Sequence, residues 1–344
     1  SMKKCKVALI MSSIFFFMTI LSSSVMAKQL NFSSWLPPGH PIVADMMLPW
    51  MANVKKATGG RVDIKLLAKG LGHPKNYFDI VKKGMADAGY TCNAYSPGRF
   101  LLSEGVELPF LGNSAEANSI AYWRTYKKYF EKADEYKGLK LLGLMTHGPG
   151  QIHNSKKVAQ SVADLKGLKF RVPGGIAAKV AASLGIVGIQ KPASQAYELL
   201  SRGVADGVVL PLESIKSFKI TKVVPYTTLV PDGLYNVSFY LVMNQKTFDG
   251  FSPADQKAIM AVSGEAFAKL AGRAWDAADR VGLADMKANG NSVETATPAF
   301  ISEIKGATQH LEADWIKKAN AKGVDGAAAL KFFRGQVANY DVIN

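Results

Sequence analysis

One cation stands out for the company it keeps. Arg171 lies inside an otherwise apolar run, Leu168-Lys169-Phe170-Arg171-Val172-Pro173, followed by Gly174-Gly175. A guanidinium at the end of such a strand, beside a proline and two glycines, can point its planar fork into a cleft. There it matches a carboxylate through two parallel hydrogen bonds and stays charged at any relevant pH. The plain alternative is an ordinary surface arginine on an alternating strand. His147 follows a second apolar run and precedes Gly148-Pro149-Gly150; because ligands gather at strand ends in α/β sheets, it is a pocket candidate. Trp35 and Tyr95, both near predicted strand ends, would form aromatic walls unless each simply packs in the core. Glu213, just after Leu210-Pro211-Leu212, either orients a ligand hydroxyl, pairs with a pocket cation, or faces solvent.

Catalytic signatures are missing: there is no G-x-S-x-G elbow, Walker phosphate loop, H-E-x-x-H pair or C-x-x-C. Gly148-Pro149-Gly150-Gln151-Ile152-His153 comes nearest to a dinucleotide fingerprint. It lacks the third glycine, and Pro149 has no N–H to offer a phosphate. The spacing of His147 and His153 fits neither one helical face nor one strand face, and no local acid or thiolate completes a metal shell. His153 is therefore expected to be structural, and neither a metal nor an organic cofactor is expected.

The elements that must hold these residues follow a βαβ rhythm. Leu30 to Trp35 reads as a strand, His40 to about Thr58 as a helix, Arg61 to Ala68 as a strand, Asn76 to Lys83 as a helix, and a strand begins at Ala86. The rhythm restarts with strands at Leu139–Met145 and Leu168–Val172, a helix at Gly175–Leu184, a helix at Ser194–Ser201, and the stretch Gly203–Leu210. Phe239–Asn244 reads as a buried strand. Ser252, Pro253 and Asp255 then open a helical pattern that runs to about Ala288 without an internal proline. Such a helix would be roughly 50 Å long, enough to brace two domains. Two more helices are expected, opened by Thr297-Pro298 and by Asp325.

Length and composition agree with this layout. The chain has 344 residues with 48% hydrophobic and 20% charged, which suits a two-domain protein with a real core rather than a disordered chain. Two cysteines exclude a disulfide-built scaffold. Ser1 reads as an extra residue ahead of Met2. Met2-Lys3-Lys4-Cys5-Lys6, an apolar run from Val7 to about Leu21, and Ser22-Ser23-Ser24-Val25-Met26-Ala27 form a secretory signal peptide cleaved after Ala27. The apolar run is short against the roughly 20 residues of a membrane anchor. Its loss leaves 39 basic and 27 acidic residues, a net charge of +12, and Cys92 without an intramolecular partner. The lysines fall as scattered pairs rather than as a stripe, so nucleic acid is not an expected partner.

Several long patterns together carry a family resemblance. They are Tyr95-Ser96-Pro97-Gly98-Arg99-Phe100 with Glu107-Leu108-Pro109-Phe110, and Asp164-Leu165-Lys166-Gly167-Leu168-Lys169-Phe170-Arg171-Val172-Pro173. Ala196-Tyr197-Glu198-Leu199-Leu200, Gly203-Val204-Ala205-Asp206-Gly207 and Val242-Met243-Asn244 complete the set. The chain resembles the solute-binding proteins of tripartite ATP-independent periplasmic (TRAP) transporters, the DctP family, over essentially all of residues 28–344.

The resemblance implies a two-lobed periplasmic-binding-protein-like α/β fold with a long helix bracing both lobes. Lobe I would take residues 28–148 plus about 240–275, and lobe II residues 149–239 plus about 276–344. It implies that Arg171 clamps the ligand carboxylate and that Arg99 adds a polar contact. Ala193 and Leu210 stand where the family pattern has a pocket phenylalanine and asparagine. Where sialic-acid-type members carry a second arginine, this chain has Gly148-Pro149-Gly150. One strong anchor among apolar walls favours a monocarboxylate, and Trp35 and Tyr95 point to an aromatic one. The expected protein is a periplasmic monomer that delivers this acid to TRAP membrane subunits. The rivals are a periplasmic enzyme acting on a carboxylate and a binding protein serving a sensor kinase.

Overall fold

The computed structural model describes residues 26–343; the leader read at residues 1–27 lies, except for Met26 and Ala27, outside the described residues. In chain order the strands are β1 Lys28–Ser33, β2 Val62–Leu66, β3 Ala88–Cys92, β4 Leu139–Thr146, β5 Gln151–Asn154 and β6 Lys169–Val172. They continue with β7 Val187–Gln190, β8 Gly207–Leu210, β9 Tyr226–Leu229, β10 Ser238–Asn244 and β11 Ser292–Thr295. Two sheets result, one ordered β2-β1-β3-β10-β4 and the other β11-β9-β5-β8-β6-β7. Pairing is parallel except around one strand in each sheet. β10 runs antiparallel to β3 and β4, and β5 runs antiparallel to β8 and β9.

Those two antiparallel strands follow the places where the chain crosses between sheets. One crossing, residues 147–150, leads from β4 to β5, and the other, residues 230–237, leads from β9 to β10. The crossings are tied to each other: His147 N–H donates to Val237 O (3.2 Å), Gly150 N–H to Tyr235 O (2.9 Å) and Leu234 N–H to Gly150 O (3.0 Å). These two crossings thus form a short two-stranded ribbon. Its glycines serve packing, because a β-carbon on Gly148 would lie 1.7 Å from Asp279 Oδ2 and one on Gly150 2.1 Å from the Tyr235 ring. That explains the Gly-Pro-Gly sequence without any phosphate.

The long helical stretch is interrupted. It forms Pro253–Ala261 and then a spine helix, Gly264–Ala288, of 25 residues, about 37 Å long at 1.5 Å per residue. Ser263 makes the break: its Oγ donates to Ile259 O (2.7 Å) and accepts from Trp50 Nε1 (3.0 Å). Gly264 then adopts φ +54°, a conformation that costs a residue with a β-carbon. No proline marks this corner, so a reading that looks for proline passes over it.

The spine helix docks on both lobes by the same device. Gly272 lets it touch the lobe I helix Ala115–Thr125, where a β-carbon would fall 2.4 Å from Glu116 Cα. Gly282 lets it touch the lobe II helix Leu212–Ser217, where a β-carbon would fall 2.2 Å from Leu212 O. Between them, two acids three residues apart cap the starts of those helices. Asp276 accepts from Ala115 N–H (2.7 Å), Glu116 N–H (3.2 Å) and Ser114 Oγ (2.9 Å). Asp279 accepts from Glu213 N–H (2.9 Å).

The tail departs from the expected lobe assignment. Pro298–Thr308 packs on the lobe II helices Val162–Leu165 and Gly175–Ser183, but the two helices after it return to lobe I. Gly326–Ile343 lies against Ala115–Thr125, and His310–Ala321 lies against the turn Ser103–Val106, with Trp315 Nε1 donating to Leu101 O (3.0 Å). Amphipathic helices carrying Trp315, Leu330 and Phe333 cover whichever apolar surface is open, and sequence order does not reveal which lobe offers it.

Gly272→Ala and Gly282→Ala should each destabilise the protein by about 1–3 kcal/mol, as overpacking against backbone does. Gly306→Ala, in a helix with open space around the new methyl, should stabilise it by about 0.4–1 kcal/mol. Denaturant melts of the three variants check both signs; unchanged midpoints for the first two would contradict the docking described.

Candidate ligand-binding site

The carboxyl ends of the parallel strands in both sheets point at the space between the lobes, and the residues just beyond them line a small, largely apolar cavity. Trp35 follows β1, and Cys92 and Tyr95 close β3. His147 follows β4, Arg171 is near the end of β6, Ala193 follows β7, and Leu210 ends β8 just before Glu213. The crossing into β10 contributes Tyr235, Val237 and Phe239, and the spine helix contributes Trp275. Every sequence-nominated site residue except Arg99 therefore lines one cavity.

Arg171 is 1% exposed. Its register explains the position: on β6 it pairs with Val208 of β8 on one side and Ile189 of β7 on the other, one residue before the strand ends. Nε donates to Lys191 O at 2.7 Å. The two Nη groups reach only Val209 O and Tyr95 Oη, each at 3.5 Å, which is the outer limit of a useful hydrogen bond. Among the described residues no carboxylate forms an ion pair with it. Burying a charge without a partner is costly, and Arg171 is such a charge.

Aromatic rings form much of the wall. Trp35 meets the Tyr95 ring edge-on with centroids 5.7 Å apart, and Tyr95 Oη accepts from Ala193 N–H (3.0 Å), a contact from lobe I to lobe II. Burial pushes the Tyr95 hydroxyl and the free Cys92 thiol up, against a weaker pull from Arg171. His147 is lowered to about 4 by burial, with the Arg171 charge acting in the same direction. Its Nδ1 contacts Gly148 O, while Nε2 has no partner. Glu213 is buried at the cavity wall, and desolvation raises its carboxyl. Ala193 and Leu210 present apolar surface, as expected.

Arg99 corrects the sequence reading. The Ser96-Pro97-Gly98 turn carries it past the strand end to the outer surface, where it stacks over Phe78 at 4.0 Å from the ring centroid and lies 3.9 Å from Asp79. His153 is buried outside the cavity, bonded to Thr227 Oγ1 (2.8 Å) and Leu210 O (2.9 Å). Sequence reasoning missed His40, Tyr235, Phe239 and Trp275 as lining residues. His40, next to Pro37-Pro38-Gly39 after β1, offered a signal in its strand-end location. Trp275 offered none, since helical spacing places it with core residues.

Glu107 secures the lobe boundary behind the cavity. Its Oε1 accepts from Ser238 N–H (3.0 Å) and Oγ (2.6 Å) at the start of β10, and its backbone O accepts from Asn236 N–H (2.9 Å). Burial raises its carboxyl to about 7 despite these bonds. No group of three or more His, Cys, Asp or Glu among the described residues is placed to hold a metal ion, and no described helix is long and apolar enough to cross a membrane.

Two α/β lobes enclosing an apolar cavity with one unpaired arginine define a solute-binding protein. The chain belongs to the DctP family, bacterial extracellular solute-binding protein family 7, whose sequence profile matches residues 32–318. It is 43% identical to a TRAP periplasmic solute-binding protein from Bordetella bronchiseptica solved with (R)- and (S)-mandelate; the TM-score is 0.89, over 91% of this chain and 99% of that one. It is 34% identical, with a TM-score of 0.86 over 92% and 99%, to a marine metagenome TRAP solute-binding protein specific for aromatic acids, solved with 3-hydroxybenzoate. The outer membrane transporter protein TsaT of Comamonas testosteroni is 30% identical, over 92% of this chain and 94% of its own.

Glu107 sets a pH signature. Its carboxyl ionises near 4.5 when unperturbed and about 7 when folded, so between these values the folded state holds the extra proton. Its contribution to stability therefore falls as pH rises through that window. Glu107→Gln should remove this falling component, gaining on wild type from pH 4.5 to 7 in urea melts; parallel curves would show that the group is not perturbed.

Proposed function

We propose that this protein captures a small aromatic monocarboxylate outside the cytoplasm and hands it to the membrane subunits of a TRAP-type transporter. The observation that carries the reading is Arg171, a guanidinium 1% exposed with no acidic partner and aromatic side chains around it. The acid enters between parted lobes, its carboxylate completes the Arg171 fork, and closure about the 147–150 and 234–237 ribbon excludes water and strengthens the pair. The closed form is then the state a membrane partner distinguishes. The mandelate and 3-hydroxybenzoate bound by two relatives support an aromatic acid.

Capture without turnover fits the chemistry present. His147 is the base nearest in character to a catalytic one, yet it is neutral and has no acid or nucleophile paired with it, and the Cys92 thiol is held protonated by burial. Export to the periplasm after cleavage at Ala27, and action as a monomer, complete the proposal.

A thermal-shift screen of residues 28–344 against aromatic, aliphatic and sugar acids tests the reading. Ligand at about a hundred times its Kd stabilises by roughly 2.7 kcal/mol. Arg171→Ala should abolish the shift, and Arg171→Lys, which loses the planar fork, should weaken it severely. Retention of wild-type affinity in Arg171→Ala would sink the carboxylate clamp. Separately, N-terminal sequencing of the exported protein should begin at Lys28; a start anywhere upstream contradicts the cleavage site.

A further inference from the structure

His40 and Glu213 face each other across the lobe boundary at the cavity wall. His40 follows the Pro37-Pro38-Gly39 turn beyond β1, and Glu213 is in the first turn of Leu212–Ser217 beyond β8. They are 4% and 2% exposed. His40 Nε2 and Glu213 Oε1 lie 3.6 Å apart, too far for a hydrogen bond, and neither atom has a partner. Buried polar atoms are nearly always paired, so a facing pair left open requires an explanation.

The hydrogen bonds around the pair constrain both sides. Ile42 N–H donates to His40 Nδ1 (3.2 Å), so Nδ1 presents its lone pair and the proton of the neutral ring is on Nε2. Burial keeps that ring neutral, lowering it to about 4. Phe218 packs beside it, with ring centroids 5.1 Å apart. Glu213 Oε2 accepts from Ser214 Oγ (2.7 Å), leaving Oε1 as the free acceptor. The backbone under Glu213 is itself held by Asp279 of the spine helix. With Glu213 ionised, the gap has a donor on the His40 side and an acceptor on the Glu213 side.

We infer that His40 and Glu213 form a hydroxyl-recognising subsite, so that the ligand is a hydroxylated aromatic acid whose O–H donates to Glu213 Oε1 while its oxygen accepts from His40 Nε2. A second carboxylate would meet Glu213 as an acceptor facing an acceptor, and an ammonium would meet the His40 N–H as donor facing donor. A hydroxyl satisfies both. Because one residue comes from each lobe, the same hydroxyl ties the lobes together. The inference rests on the Arg171–carboxylate reading and adds the second polar end of the ligand.

Calorimetric Kd values for matched pairs test it on the wild-type protein: benzoate against 2-, 3- and 4-hydroxybenzoate, and phenylacetate against mandelate. At least one hydroxylated acid should bind about tenfold or more tightly than its parent. Glu213→Leu and His40→Phe should each erase that ratio while the parent acid still binds. Each protein is compared with itself, so a general loss of stability does not move the ratio. If no hydroxylated acid exceeds its parent, or the ratio survives in the variants, while Arg171→Ala abolishes all binding, the subsite is wrong and the clamp stands. Aromatic acids that bind equally well to wild type and Arg171→Ala overturn both.

Discussion

A guanidinium 1% exposed with no acid beside it is the constraint around which the rest of this structure is arranged. Left in an empty apolar space, such a charge opposes folding. The surrounding fold moderates that cost by accepting one good hydrogen bond at Lys191 O and two long ones at Val209 O and Tyr95 Oη. Burial keeps the His147 ring, the Cys92 thiol and the Tyr95 hydroxyl neutral, so none of these three adds a charge beside Arg171. The unmatched charge and the cavity beside it are what the proposed carboxylate clamp rests on.

Holding that geometry between two lobes requires a third element that touches both. The spine helix does this with small residues and acids rather than apolar bulk. Gly272 and Gly282 allow backbone contact, and Asp276 and Asp279 cap one helix from each lobe. The second of these caps is also the one that seats Glu213 at the cavity. The crossing ribbon is thin and the spine is broad, which suits lobes that move as rigid bodies about a few residues. The contacts that close the cavity, Tyr95 to Ala193 and His40 facing Glu213, are those that opening would break.

The fold was largely legible because its signals are local. Alternation and apolar runs located β1, β2, β3, β4, β6 and β10 to within a few residues, and Ser252 and Thr297 cap helices as their residue types demand. The helix break at Ser263 was not legible, since it depends on Trp50 and Trp123, which approach from elsewhere in the chain. Strands β5, β7, β9 and β11 were not read from the sequence, although at four residues each they are no shorter than β6.

By itself the sequence determined the class of chemistry: an always-charged fork in an apolar strand, with strand-end aromatics and no catalytic motif, calls for binding an anion. Those properties belong to residue types and their immediate neighbours. Tertiary structure alone decided which candidates share a cavity. It removed Arg99, whose turn carries it to the outer face, and brought in His40, Tyr235, Phe239 and Trp275 from three separate stretches. It also decided that His40 and Glu213, far apart in the chain, stop 3.6 Å from each other. Distances across a lobe boundary are set by how whole elements pack, and no local pattern of side chains records them.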